Sequence, residues 1–502
     1  MDVSQLIQRA VRQYPDRVAV VARSGQRTYA ELGERACRLA NALAGQGVAA
    51  GDRVVVLLEN RIEYPEVDVA LAYGGFVRVA LNIRLGLSEF SASVEDSDAR
   101  VLITQAKFAD VAAQLVEQYG LLWISMEGGE DPRAVGYESL LETGRPVLPD
   151  PVDRTDEPAW FSYTSGTTGR PKGVVLSHRA LAHVAWNLMI EIGPHSPEEA
   201  VLLPQPLSHG AGYFTLAYLG SGAAIHVVPD FDPEEIVSWG EKWKIDTLKL
   251  VPTMLDKLLE LDRPAPFKRI VYGASPIARP ILDRAMGTLD ADLVQIYGQS
   301  EAPVTITCLG ALDHRDQGPH LGSAGRPWRS VDVLVADPDG RPLPAGELGE
   351  VIVRGDHLMT GYHHRPEQTA EVLRNGWLWT RDMAVIDDRG YIYLRGRRDD
   401  MINSGGFNIA PREIEDVVND HPLVQECAAV GLPDERWGER VCVYVVTTAG
   451  RQLSYEELDR FCEPRLGFRR PRSLVLLNAL PYTAYGKVDR KQLVAAPAEE
   501  TR

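Results

Sequence analysis

The run Tyr163-Thr164-Ser165-Gly166-Thr167-Thr168-Gly169-Arg170-Pro171-Lys172-Gly173 constrains this chain more than any other stretch. Apolar residues lead in (Ala159-Trp160-Phe161) and lead out (Val174-Val175-Leu176), so the small polar residues are expected to form a loop between two strands. Glycine, serine and threonine let such a loop turn its backbone N–H groups inward. Hydroxyls and a lysine then add donors and positive charge, which together suit a polyphosphate. The spacing is not that of the Gly-x-x-x-x-Gly-Lys-Ser/Thr phosphate loop, because Gly173 follows Lys172 and no hydroxyl residue opens a helix there. The plainer alternative, a flexible surface loop, does not account for this order of residues between two apolar runs.

At 502 residues the chain exceeds a single core and predicts two or three domains. An apolar share of 45% with 25% charged residues is that of a soluble globular enzyme. No apolar run reaches the roughly 18 residues of a membrane helix. The stretch Met1–Val20 carries Asp2, Arg9, Arg12, Asp16 and Arg17, which predicts neither a membrane span nor a secretory signal. Five cysteines (Cys37, Cys308, Cys427, Cys442 and Cys462) stand apart without a Cys-x-x-Cys pair, a pattern of reduced core thiols in a cytoplasmic protein. A net charge of −17 argues against a nucleic-acid partner, although a small anion needs only local positive charge.

From Met1 to about Val152, short apolar runs alternate with helical periods, and a second alternating block spans Ala159 to Cys308. Strand and helix in alternation predict α/β architecture with doubly wound sheets. Thr28 with Glu31 reads as a capping box, and Ser177 as the cap of a helix from His178 to Met189. From Leu321 to Arg395 turns multiply, which predicts a small antiparallel β subdomain. The remainder, from Met401, reads as a compact α+β module with a helix opening at Pro411 and another capped by Ser454 with Glu457.

Six further motifs follow in order: Gly273-Ala274-Ser275-Pro276, Tyr297-Gly298-Gln299-Ser300-Glu301, Trp377-Leu378-Trp379-Thr380-Arg381-Asp382, Gly396-Arg397-Arg398-Asp399-Asp400, Gly405-Gly406-Phe407-Asn408-Ile409 and Pro481-Tyr482-Thr483-Ala484-Tyr485-Gly486-Lys487. With the loop, they resemble the adenylate-forming superfamily of acyl-CoA synthetases, firefly luciferases and adenylation domains of peptide synthetases. The resemblance covers essentially the whole chain. It implies a large ATP- and acid-binding domain over 1–395, a hinge over 396–400 and a small mobile carboxyl-terminal domain over 401–502.

The resemblance also assigns roles. Ser165, Gly166, Thr167, Thr168, Gly169 and Lys172 would grip the β- and γ-phosphates, and Thr164 would belong to the catalytic set with Lys487, Glu301 and His209. Gly273, Ala274 and Ser275 would form the adenine-side turn, and Tyr297, Gly298, Gln299 and Ser300 would meet adenine and phosphate, with Glu301 holding Mg²⁺. Asp382 would bind ribose and Arg397 ribose or phosphate. Asp399 would be the pivot, Gly405 and Gly406 would border the acceptor channel, and Lys487 would bridge substrate carboxylate and α-phosphate. His209 would either stand beside the acyl pocket, gating acid or acceptor access, or be a packed core histidine; the pocket floor would draw on Trp186, Tyr213, Tyr272 and Gln299. Two positions depart from the pattern: Ser300 stands where threonine is usual, and Arg381 where glycine is usual. A side chain at 381 either crowds the ribose or reaches an anion. The cluster Arg465, Arg469, Arg470 and Arg472 either meets the phosphates of an acceptor or is a solvated surface.

The implied activity is ATP- and Mg²⁺-dependent conversion of a small-molecule carboxylic acid to an acyl-adenylate, with release of pyrophosphate, then transfer to coenzyme A. The partly aromatic pocket set suits an aryl or medium-length acid. Rival acceptors are a carrier-protein thiol, an amine, or nitrite, as in ATP-dependent diazotases, and Arg381 is the motive for the last. A catalytically silent binding protein of this fold would lack Lys172, Glu301 or Lys487, and all are present. A homodimer is the default assembly.

Overall fold

The computed structural model describes residues 2–129, 131–149, 153–164, 171–448, 451–483 and 488–495. Ser165, Gly166, Thr167, Thr168, Gly169 and Lys487 therefore lie outside the described residues.

Short runs rich in valine, isoleucine and leucine become strands buried on both faces, as parallel sheets between helices require. In an eight-stranded sheet, Arg53–Leu57 pairs in parallel with Val77–Ala80 and Val101–Thr104, and Val77–Ala80 with Pro158–Thr164. Lys172–Ser177 and then Gly361–Tyr362 close one edge of it in antiparallel fashion. A nine-stranded sheet carries Val18–Ala22, Ala224–Val227, Ala200–Leu203, Thr247–Leu250, Arg269–Gly273 and Asp292–Gln299 as successive parallel neighbours.

The two sheets do not follow the two sequence blocks. Val18–Ala22 leaves the first block to pair with Ala224–Val227, while Pro158–Thr164 and Lys172–Ser177 join the first block's sheet. Alternation of strand and helix reports local structure but not which strands become partners. Here Tyr29 anchors the exchange: its buried hydroxyl donates to the carbonyls of Leu219 and Ala223 at 3.1 and 2.8 Å, drawing the first strands onto the Gly210–Ser221 helix. That helix is buried from Ala211 through Leu219. Such all-round apolarity marks a helix sandwiched between layers.

The expected capping boxes and caps form: Thr28 with Glu31, Ser177 over Ala180, Ser454 over Glu457. Downstream, Asp332–Ala336, Leu348–Arg354, Trp377–Ile386 and Ile392–Arg397 build an antiparallel sheet. The chain then makes a single turn, Arg398–Asp400, and enters a sheet of Ile402–Ser404, Phe407–Ile409, Val424–Asp434, Gly438–Thr447 and Ser473–Leu476. Helices Pro411–Asn419 and Tyr455–Leu466 flank this sheet. Among the described residues no helix is long and apolar enough to cross a membrane.

Candidate active site

The strands on either side of the glycine-rich loop pair Thr164 with Lys172 and Tyr163 with Gly173. Lys172 points its Nζ at the Tyr362 ring, 5.5 Å from the centroid. Tyr362 sits on the neighbouring edge strand and donates its hydroxyl to Glu301 Oε1 at 2.7 Å, and the Met359 N–H fixes the Glu301 backbone at 2.9 Å. A lysine, a tyrosine and a carboxylate from three distant segments thus face one another. Burial, followed by the nearby Arg381 cation, lowers the Lys172 pKa, and Glu371 and Glu301 oppose that shift.

A second set lies at the carboxyl end of the Asp292–Gln299 strand. Tyr297 donates its hydroxyl to Asp382 Oδ2 at 2.5 Å, and Arg397 Nε lies 3.1 Å from Asp382 Oδ1. Antiparallel pairing places Asp382 directly opposite Arg397. Burial and the Asp382 charge push the Tyr297 phenol well above its ordinary value, while Asp382 raises that of Arg397. Beside them the chain comes very close to itself. A side chain at Gly273 would put its Cβ 2.3 Å from the Ile296 carbonyl oxygen, and one at Gly298 would meet the Val304 nitrogen at 2.4 Å. Ala274 follows at φ 75°, a left-handed turn that L residues rarely adopt and that concentrates at functional loops.

Arg381 has φ 62°, which gives the physical reason glycine would sit more easily there. Its N–H donates to Glu350 Oε1 at 2.8 Å, and its guanidinium lies 3.1 Å from Glu371 and 3.5 Å from Asp399. Arg398 Nη1 takes the other Glu350 oxygen at 3.0 Å. The side chain therefore turns onto Glu371 and Asp399, and the cation is already occupied by carboxylates.

His209 caps the Gly210–Ser221 helix at the end of the Pro206–Gly210 loop, where burial lowers its pKa. Sequence reasoning missed the residues that hold this loop. Asn60 donates to the carbonyls of Leu203, Gln205 and Val228 and accepts the Leu207 N–H. Arg78, 2% exposed, reaches Asp68 Oδ1 at 2.6 Å, the Tyr64 hydroxyl at 3.1 Å and the Leu207 carbonyl at 2.8 Å. The available signal was an arginine inside the apolar strand Val77–Ala80, which has to find partners. Glu350 and Tyr362 were also missed, and no short motif marks either.

Of the expected pocket floor, Tyr213 meets Ser162 Oγ at 3.2 Å and packs on Trp160, while Trp186 lies against His183. Gln299 Nε2 lies 3.4 Å from the Thr380 carbonyl. Tyr272 departs from the expectation. Its ring packs with Leu202, Leu248 and Leu250, and its hydroxyl meets His314 Nε2 at 2.8 Å. Strand alternation puts it on the sheet face opposite Val271, which packs with Phe214 and Tyr213.

The family model for AMP-binding enzymes matches residues 7–363, and the model for their carboxyl-terminal domain matches 413–487. The chain belongs to the AMP-binding enzyme family. This AMP-binding enzyme is 36% identical over 490 residues to a feruloyl-CoA synthase from Amycolatopsis sp, covering 96% of each chain. It is 34% identical to the fatty-acid–(acyl-carrier-protein) ligase ScoC of Streptomyces coeruleorubidus, over 95% of this chain and 93% of that one. Its fold matches o-succinylbenzoate CoA synthetase from Bacillus subtilis, solved with its acyl-adenylate intermediate, with a TM-score of 0.88, 28% identity and 99% coverage of both chains. It is an AMP-forming acid–thiol ligase of the acyl-CoA-synthetase type, and its large and small domains match those of adenylate-forming enzymes.

In the small domain of this AMP-binding enzyme, Gly405 and Gly406 have φ 60° and 83°, and the Gly405 N–H donates to the Trp437 carbonyl at 2.8 Å. Exposed Phe407 packs on Phe468 in a tilted arrangement, with centroids 4.7 Å apart and the rings at 50°. The arginine cluster divides. Arg469 pairs with Glu413 and Arg470 with Asp459, whereas Arg472 lies 6.0 Å from the Trp437 ring and Arg465 4.1 Å from that of Phe461. Tyr482 bridges Val488 on either side of the segment that contains Lys487, and Arg490 binds Glu415 and opposes the upward shift that burial gives the Asp400 pKa.

Proposed function

We propose that this enzyme uses ATP and Mg²⁺ to activate a carboxylic acid as its acyl-adenylate and then transfers the acyl group to coenzyme A. One observation carries the reading: the Tyr297–Asp382–Arg397 set and the Glu301–Tyr362–Lys172 set converge from separate segments beside the strand ends. In open α/β sheets such ends are where ligands bind.

In the first half-reaction a carboxylate oxygen of the acid attacks the α-phosphorus, and pyrophosphate leaves with the bonding electrons. Lys172 and the loop before it hold the departing phosphates, and Lys487 offsets charge between carboxylate and α-phosphate. Asp382 accepts the ribose hydroxyls, an arrangement of charge-assisted bonds stronger than neutral ones. Tyr297 covers the adenine, the Gly273–Ser275 turn lets backbone approach it, and Ser300 donates to phosphate. Glu301 would hold Mg²⁺, since its Oε2 accepts no hydrogen bond among the described residues and carboxylate oxygen suits this hard cation. Such an ion supplies charge neutralisation at the phosphates.

For the second half-reaction the small domain turns about Asp399, the coenzyme A thiol gives up its proton, sulfur attacks the acyl carbon and AMP leaves. Gly405 and Gly406 border the thiol's path, exposed Phe407 and Trp437 offer stacking faces at its mouth, and His209 gates the acyl side. Engagement of Arg381 by Glu371 and Asp399 removes the motive for a nitrite acceptor. Mass spectrometry of products from ATP, Mg²⁺ and a panel of aliphatic and aromatic acids tests the reading, each run with coenzyme A, nitrite, or neither. Acyl-CoA formed only with coenzyme A is the expected result. A diazo product, or adenylate without thioester, overturns the acceptor.

A further inference from the structure

Two cations are buried in the core around the Gly210–Ser221 helix, and they are treated very differently. Arg78 has Asp68, Tyr64 and the Leu207 carbonyl around it. Lys249, 3% exposed, donates to the Leu250 carbonyl at 2.8 Å and makes no other hydrogen bond among the described residues. No charged neighbour offsets its desolvation, and burial alone lowers its pKa to about 7. An amine kept in an apolar layer with unused donors is costly unless something else comes to meet it.

The position of Lys249 says what that is. Parallel pairing sets Lys249 beside Val271, so its side chain leaves the sheet on the face of the Gly210–Ser221 helix, with Nζ 5.9 Å from the Phe214 ring centroid. Phe214 follows Tyr213, which reaches Ser162 just before the glycine-rich loop. The register continues from Lys249–Val271 to Leu250–Tyr272, and Gly273 comes next. Lys249 therefore lies about 7 Å behind the Gly273–Ala274 turn, given roughly 3.3 Å per strand residue. It lies in the layer between the helix and the sheet, below the strand ends at which the proposed reacting groups gather.

Resting on the acid-activating reading above, we propose that Lys249 is a specificity-determining residue. It receives a hydrogen-bonding oxygen, a hydroxyl or a second carboxylate, on the end of the acid distal from the reacting carboxylate, while Phe214 lies against the acid's apolar body. An amine whose pKa is lowered to about 7 can accept from a hydroxyl in its neutral form or hold its proton beside a carboxylate, so both oxygens fit one site. A purely apolar tail leaves the buried amine unpaired, which is the situation that yields strong discrimination.

ATP–pyrophosphate exchange with 4-hydroxycinnamate, 4-carboxycinnamate and 4-methylcinnamate tests this in wild type and Lys249→Met. Wild type should favor an oxygen-bearing acid over the methyl analogue by roughly tenfold or more in kcat/KM, and Lys249→Met should erase that preference while the methyl analogue reacts as well as before. A wild-type enzyme with no oxygen preference overturns the proposal, whether or not the variant folds. A variant that loses activity equally on all three acids, or keeps the wild-type ratio, overturns it as well. Acid-induced shifts in melting temperature without ATP provide a readout independent of turnover. Shifts that depend on Lys249 alongside absent exchange defeat the acid-activating reading and spare the subsite. Exchange without an oxygen preference does the reverse.

Discussion

Two arginine clusters in this molecule face opposite demands. Arg78 and Asp68, at 2% and 3% exposure, form a buried pair that ties the Pro206–Gly210 loop to the sheet. Arg381 and Asp399, at 24% and 47%, form a longer and wetter pair. A buried pair that loses one partner leaves an uncompensated charge, whereas an exposed pair exchanges its partner for water at little cost. The first is therefore costly to break, and the second can break and re-form at little cost. A site that holds ATP in one geometry and then releases the small domain, as proposed above, would need both properties.

The largest effect is expected at the buried pair. Arg78→Met should cost about 3–5 kcal/mol in chemical denaturation, and adding Asp68→Leu should recover most of it because no unpaired charge remains. A single variant near wild-type stability would erase the distinction drawn here. Next is Lys487→Ala, expected to slow pyrophosphate exchange by about 10²–10³-fold while leaving thioester formation from supplied acyl-adenylate nearly intact. Equal loss in both assays would separate Lys487 from the first half-reaction. Asp382→Asn follows. Weakened bonds to a charged acceptor, at about 1.5–3 kcal/mol each, should raise KM for ATP by roughly 10–100-fold with a smaller change in KM for the acid.

The smallest effect is expected at the hinge. Arg381→Gly removes exposed ion pairs and relieves a left-handed arginine, so stability should stay within about 1 kcal/mol while the transfer half-reaction changes by roughly two- to fivefold. The same variant carries a pH signature. Burial, then the Arg381 cation, hold Lys172 below the ordinary lysine value. Removing that cation favors protonated Lys172, so its pKa rises and the alkaline limb of pyrophosphate exchange moves to higher pH. A limb at unchanged pH would mean that Arg381 does not act on the phosphate end of the site.

Much of this machinery could be read from contiguous residues. The strands around the glycine-rich loop and the caps at Thr28, Ser177 and Ser454 were legible because each is a short backbone device set by residues close along the chain. The facing of Tyr272 was not, because one step along a strand reverses the side chain and the strand's buried face is set by its neighbours. Arg78, Asn60 and Lys249 were silent for a related reason: each acts on residues more than a hundred positions away or on a face formed by another segment.

Sequence by itself determined the family, the alternation of strand and helix, the caps and the order of site motifs, because these depend on residues close along the chain. Only the tertiary structure decided that Val18–Ala22 and Pro158–Thr164 exchange sheets, that Arg381 turns onto Glu371 and Asp399, and that Lys249 has a single backbone carbonyl as its hydrogen-bond partner among the described residues. Those outcomes rest on contacts between distant segments, and a buried charge reveals its partner, or its want of one, only once the layers around it are assembled.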